Sequence, residues 1–119
     1  MAYGQTICVL ATLAAAMGLT PAWAASPSST PSFDIAIRHQ AFEPPSVTVP
    51  AGQVVTLMVN NEDAQPAEFE SGDLGREKVI PGGTRRPVVV GPLKPGRYGF
   101  FNDFHSASTG TLIAVPPKP

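Results

Sequence analysis

Cysteine is almost missing from this chain: Cys8 is the single example in 119 residues. A lone thiol forms no internal disulfide, and no Cys-x-x-Cys pair is present to hold zinc or an iron–sulfur cluster. Charge is also sparse, with eight Lys and Arg against nine Asp and Glu. The bases are scattered and build no stripe that would neutralise a run of phosphates, so nucleic acid is excluded as a partner. Arg85-Arg86 is the densest basic pair, and a solvated strand edge accounts for it. The machinery of ordinary hydrolases is missing as well, since there is no Gly-x-Ser-x-Gly elbow and no His-Glu-x-x-His helix. No internal repeat, heptad or convincing helical period occurs. A short polar stretch, Gly72 to Lys78, is the best candidate for a helical turn.

What is there divides into two parts. Residues 7–19 are almost all apolar, too short to cross a bilayer as a mature helix, and are followed by Thr20-Pro21-Ala22-Trp23-Ala24. This reads as a secretory signal peptide over residues 1–24, with small residues at Ala22 and Ala24 placing cleavage after Ala24. Its first six residues lack Lys and Arg, and the alternative is a leader retained as a membrane anchor. Cleavage would remove Cys8, Trp23 and two of the three Met, leaving a periplasmic chain of about 95 residues that only its own apolar core can hold. Residues 25–32, small, polar and Pro-containing, suit a flexible tether. A folded domain is expected over 33–116, with a Pro-rich tail at 117–119.

Within that domain, short alternating or β-branched runs are separated by Pro and Gly. Seven strands are expected, at 33–38, 46–49, 54–60, 67–70, 86–90, 97–101 and 111–115. The domain is therefore all-β, a sandwich or barrel. Phe33, Ile35 and Ile37 share one strand face, as do Val55, Leu57 and Val59, and these faces define the expected core. Met58, between the last two, is read as an apolar gap-filler rather than a thioether ligand.

Two segments carry a family resemblance. Val47-Thr48-Val49-Pro50-Ala51-Gly52 with Val54 to Asn61, and Leu93-Lys94-Pro95-Gly96-Arg97-Tyr98-Gly99-Phe100-Phe101, resemble the cupredoxins. The resemblance implies a Greek-key β-sandwich. Cupredoxin blue-copper centres use two His, a Cys thiolate and a weak axial ligand. At the matching positions this chain has Ala67 for the first His, Asn102 for Cys, His105 for the second His and Gly110 for the axial Met. With one donor of four kept, a blue-copper electron carrier is not expected. Four further segments are similar to a periplasmic branch found with bacterial ferrous-iron or copper permeases: Glu68-Phe69-Glu70-Ser71, Glu77-Lys78-Val79-Ile80, Gly91 to Gly96, and Phe100-Phe101-Asn102-Asp103-Phe104-His105. Gly72 stands where that branch would carry a His. The resemblance implies metal handling beside a permease or another periplasmic uptake protein, with membrane contact only through that partner.

Carboxylate oxygens and imidazole suit iron in either state, Mn(II) or Cu(II), whereas Cu(I) prefers sulfur. The expected ligands of an iron or copper ion are therefore Glu68, Glu70, Asp103 and His105, with His39 a lesser candidate better read as structural or simply exposed. Glu68 and Glu70, two apart on a strand, share a face, and Phe69 between them points to the core. The competing reading is that both decorate a solvent face, leaving a metal-free scaffold for a cell-envelope partner. Assistance in ferrous-iron oxidation would need a redox partner that the residues do not name. A monomer or weak dimer is expected.

Overall fold

The computed structural model of the protein describes residues 30–118 together with Gly4 and Gly18. The expected signal segment, apart from those two glycines, and most of the tether lie outside the described residues. The remainder is all strand and turn, with β1 (Ser32–Arg38), β2 (Ala41–Glu43), β3 (Ser46–Pro50), β4 (Val55–Asn61), β5 (Ala67–Ser71), β6 (Arg76–Ile80), β7 (Arg85–Val90), β8 (Gly96–Asn102) and β9 (His105–Val115). One sheet has the order β2-β1-β4-β7 and the other β3-β9-β8-β5-β6. The chain crosses between the two sheets, and β1 lies parallel to β4 and β3 parallel to β9. This is a Greek-key sandwich.

The count is nine strands among the described residues rather than seven. The segment 72–78, expected as a helical turn, is instead a tight turn running into β6. Four of the five β6 residues are exposed, so the edge strand shows no apolar alternation to read. The three-residue β2 was missed because its turn uses no glycine: His39 and Gln40 take φ of 50° and 65°. Asp63 makes that conformation tenable by accepting both backbone N–H groups, at 2.8 and 2.7 Å.

Between the sheets, period-two alternation turns Ile35, Ile37, Val55, Leu57, Val59, Val88 and Val90 from one side against Val47, Val49, Phe69, Phe100 and Leu112 from the other. Each such side chain contributes about 1.5–3 kcal/mol of burial. The centre is aromatic: Phe69 and Phe100 stack at 4.9 Å and Phe42 meets Phe100 edge-on at 4.9 Å. Gly110 belongs to this packing, because a Cβ there would collide with the Phe100 ring. Met58 lies half-buried on the opposite side of β4 from Leu57 and Val59, so it is not part of the inner core.

Candidate metal site

The site is built on β5, whose sequence Ala-Glu-Phe-Glu-Ser alternates strictly. Ala67, Phe69 and Ser71 face the core, which obliges Glu68 and Glu70 to the outer face of the five-stranded sheet. At its far end, the Ser71 hydroxyl donates to the Gly99 carbonyl at 2.6 Å and accepts the Leu74 N–H at 3.0 Å. Asp73 in the same turn accepts the Gly99 N–H at 2.9 Å. These bonds fold β6 back so that Glu70 pairs with Glu77, and Glu68 with Val79.

On the other flank, β5 pairs with β8 through Phe69 with Asn102 and Glu70 with Phe101. Asn102, only 2 % exposed, is the hinge of the site. Its side-chain oxygen accepts the Glu68 N–H at 2.9 Å and the Phe104 N–H at 3.1 Å. The Asp103 N–H then donates to the Glu68 carbonyl at 3.0 Å. One buried amide thus fixes both the strand that carries Glu68 and the turn that carries Asp103.

Glu68, Glu70 and Asp103 come together, each offering an oxygen within 4.8 Å of the other two. His105 does not join them. It is exposed at the first residue of β9, paired with Asn102, and no group of three potential ligands includes it among the described residues. The acids also sit on the outer face and the adjoining β8–β9 turn, not at a mouth between end loops. His39 is distant in role, an exposed residue in the β1–β2 turn.

The electrostatics are those of crowded like charge. Glu68 is pushed up to about 7, chiefly by a proton-sharing hydrogen bond with Glu77, then by burial and by the charges of Glu77, Asp103 and Glu70. Glu70 is also raised, first by burial and then by Asp103 and Glu77. Glu77 is the participant that sequence reasoning missed. No apolar alternation marks Glu77-Lys78-Val79-Ile80 as a strand, and only its antiparallel pairing across the Gly72–Gly75 turn sets Glu77 opposite Glu70.

At the positions that the resemblance matches to blue-copper donors, the described residues are otherwise engaged. Asn102 spends its oxygen on two backbone donors, Ala67 has no donor atom, and the space at Gly110 is filled by the Phe100 ring. What the chain offers instead is oxygen chemistry on an outer sheet face.

A two-sheet, nine-strand sandwich of this topology defines a cupredoxin-like class. The family profile for the cupredoxin-like domain matches residues 9–114, and the chain belongs to that family. It is 38 % identical over 81 residues to an uncharacterized protein of Rickettsia prowazekii (strain Madrid E), a match covering 68 % of this chain and 65 % of that relative's length. Among solved structures it is similar to auracyanin A, a "blue" copper protein from Chloroflexus aurantiacus, with a TM-score of 0.62 and 17 % identity over 73 % of this chain and all of that one. The metal-binding domain of the Cu(I)-exporting P-type ATPase of Streptococcus pneumoniae gives 0.63 and 14 %, covering 71 % of this chain and 84 % of that one. A purple cupredoxin from Nitrosopumilus maritimus gives 0.53 and 22 %, covering 69 % and 98 %. At these identities the structural likeness establishes the fold.

Proposed function

We propose that this is an exported periplasmic protein that captures an iron or copper ion on Glu68, Glu70 and Asp103 and hands it to a membrane metal permease or a periplasmic uptake protein. The observation that carries the reading is the carboxylate triad, with three oxygens within 4.8 Å. No Lys, Arg or His forms an ion pair with any of these acids among the described residues. Anions held so close repel one another, and a cation between them removes that cost and gains three charge-assisted contacts. The apolar leader supports export, and the four segments resembling the permease-associated branch support the uptake role. Copper named for the auracyanin and ATPase neighbours supports a metal-handling one. His105, two residues beyond Asp103, would act at the rim, taking the ion on arrival or release rather than holding it with the triad.

Calorimetric titration of the full-length protein with Fe(II) under anaerobic conditions, Mn(II) and Cu(II) tests this. A saturable heat that disappears in the Glu68→Gln/Glu70→Gln double variant is expected, and silence with all three ions would refute metal capture. The second reading, a metal-free envelope scaffold, is favoured by one specific feature: at two positions that the resemblance matches to copper donors, Asn102 is engaged by backbone N–H groups and the space beside Gly110 is taken by the Phe100 ring. That silence is the result it predicts.

A further inference from the structure

Backbone hydrogen-bonding directions distinguish the edges of the sandwich. On β5, the Glu68 N–H donates to Asn102 and the Glu68 carbonyl accepts from Asp103, so both groups point toward β8. In an antiparallel pair, the residue opposite such a position turns its own N–H and C=O away from the partner strand. Val79 lies opposite Glu68, and Glu77 opposite Glu70, so the outward backbone groups of β6 are those of Glu77 and Val79, at the edge of the sheet. The adjoining edge of the other sheet is closed. The Asn61 N–H donates to the Thr84 carbonyl, which makes Arg85, Pro87 and Val89 the outward positions of β7. Pro87 has no N–H, and the Val89 carbonyl already accepts the Arg76 Nε–H at 2.7 Å. At the far side, β2 has three residues and β3 runs from just after Pro45 to Pro50.

We infer that β6 accepts an extended segment of a partner protein as an added antiparallel strand, one that reads apolar, acidic, basic along its own chain. Directly opposed residues share a face. Glu77 and Val79 therefore stand on the outer face with Glu70 and Glu68, whereas Lys78, opposite core-facing Phe69, points to the other side and is exposed. An antiparallel strand would set its first residue beside Val79, which is 49 % exposed, its second beside Lys78 and its third beside Glu77. Apolar, acidic and basic side chains complement these in turn. A second copy of this chain does not meet the pattern. In the two-fold pairing that bonds Glu77 to the counterpart of Val79, Lys78 directly opposes its own counterpart, and like charges so placed are destabilising. The edge is thus guarded against self-pairing and suited to a strand of different sequence. This holds with or without a bound ion.

Amide NMR of the isotopically labelled full-length protein in EDTA tests the inference, with two capped peptides as probes: Thr-Thr-Val-Glu-Lys-Thr-Thr and its isomer Thr-Thr-Val-Lys-Glu-Thr-Thr. Their composition and net charge are identical. The first should bind about tenfold more tightly, because the isomer turns both opposed charge pairs into like pairs, and it should shift the Glu77 and Val79 amides most. Val79→Pro removes an outward N–H and spares the β5–β6 ladder, so it should weaken binding of the first peptide about tenfold or more while the Ala67 and Ile80 amides stay in place. The Glu77→Lys/Lys78→Glu double variant should reverse the preference between the peptides, which an unfolded protein would not do. Equal affinities, no response to either peptide, shifts confined to β3, or a preference unmoved by the charge exchange would each overturn the inference. So would a dimer in sedimentation that is lost in Val79→Pro.

Discussion

The two sheets present acids to solvent in opposite ways. On the four-stranded sheet, Asp34, Glu43 and Glu62 all have arginine partners: Arg85 to Asp34 at 2.6 Å, Arg38 to Glu43 at 2.7 Å, and Arg38 again to Glu62. There the guanidinium of Arg38 holds Glu62 below its ordinary value, and Arg38 itself is raised. On the five-stranded sheet, Glu68, Glu70 and Asp103 come together with Glu77 hydrogen-bonded to Glu68, none of them is ion-paired to a base among the described residues, and Glu68 rises to about 7. The same residue type is neutralised on one face and left in mutual repulsion on the other. The unpaired face is the one on which the proposed cation would sit.

The largest expected effect comes from the buried amides that hold each face. Asn102→Ala leaves the Glu68 and Phe104 N–H groups without their acceptor and should cost about 2 kcal/mol in urea unfolding, with loss of cation binding. Asn61→Ala is the counterpart. Asn61 donates to the Gln65 and Ile80 carbonyls and accepts the Asp63 N–H, so a similar cost is expected, but with binding at the acidic face retained. If the two variants affected binding equally, the faces would not be independent.

A smaller effect separates the faces by pH. Glu68 keeps its proton to about pH 7 when folded but releases it near the ordinary 4.5 when unfolded. Between those values the folded chain binds more protons, so stability falls as pH rises through the window. Glu62 does the reverse: its contribution is complete above its ordinary value of 4.5 and is lost as pH falls through its depressed folded value. Denaturation midpoints across pH 4 to 8 should therefore flatten above pH 5 in Glu68→Gln, and an unchanged slope would place the proton elsewhere. Smallest of all, Arg85→Ala should cost about 0.5 kcal/mol or less, vanishing in molar salt, because both members of that pair are largely in water.

Apolar alternation made most of the sandwich legible beforehand. β1, β3, β4, β5 and β7 fall within a residue or so of the expected strands, because each turns a β-branched or aromatic face inward. β9 begins at His105 rather than near 111, since its first residues, His-Ser-Ala-Ser-Thr-Gly, are small or polar and are ordered by pairing with β8 rather than by burial. The Glu-x-Glu face of β5 was readable from strand geometry alone, whereas the arrival of Asp103 depended on the Asn102 hinge, which pattern does not show. Glu77 stayed hidden for the reason β6 did: an exposed edge strand takes its conformation from its neighbour, not from its own hydrophobic period. The N-terminal leader was read from composition, and export remains part of the proposal.

The raised Glu68 carboxyl, hydrogen-bonded to Glu77, partly desolvated and crowded by neighbouring acids, is the feature that matters most. Carboxyl carbon NMR of the full-length protein, followed from pH 3 to 9 without metal and again with saturating Ca(II) as a diamagnetic hard cation, measures it directly. Glu68 should titrate near 7 in the ion-free protein and well below its ordinary 4.5 once the cation is bound. A Glu68 that titrates at its ordinary value in both samples would contradict the account.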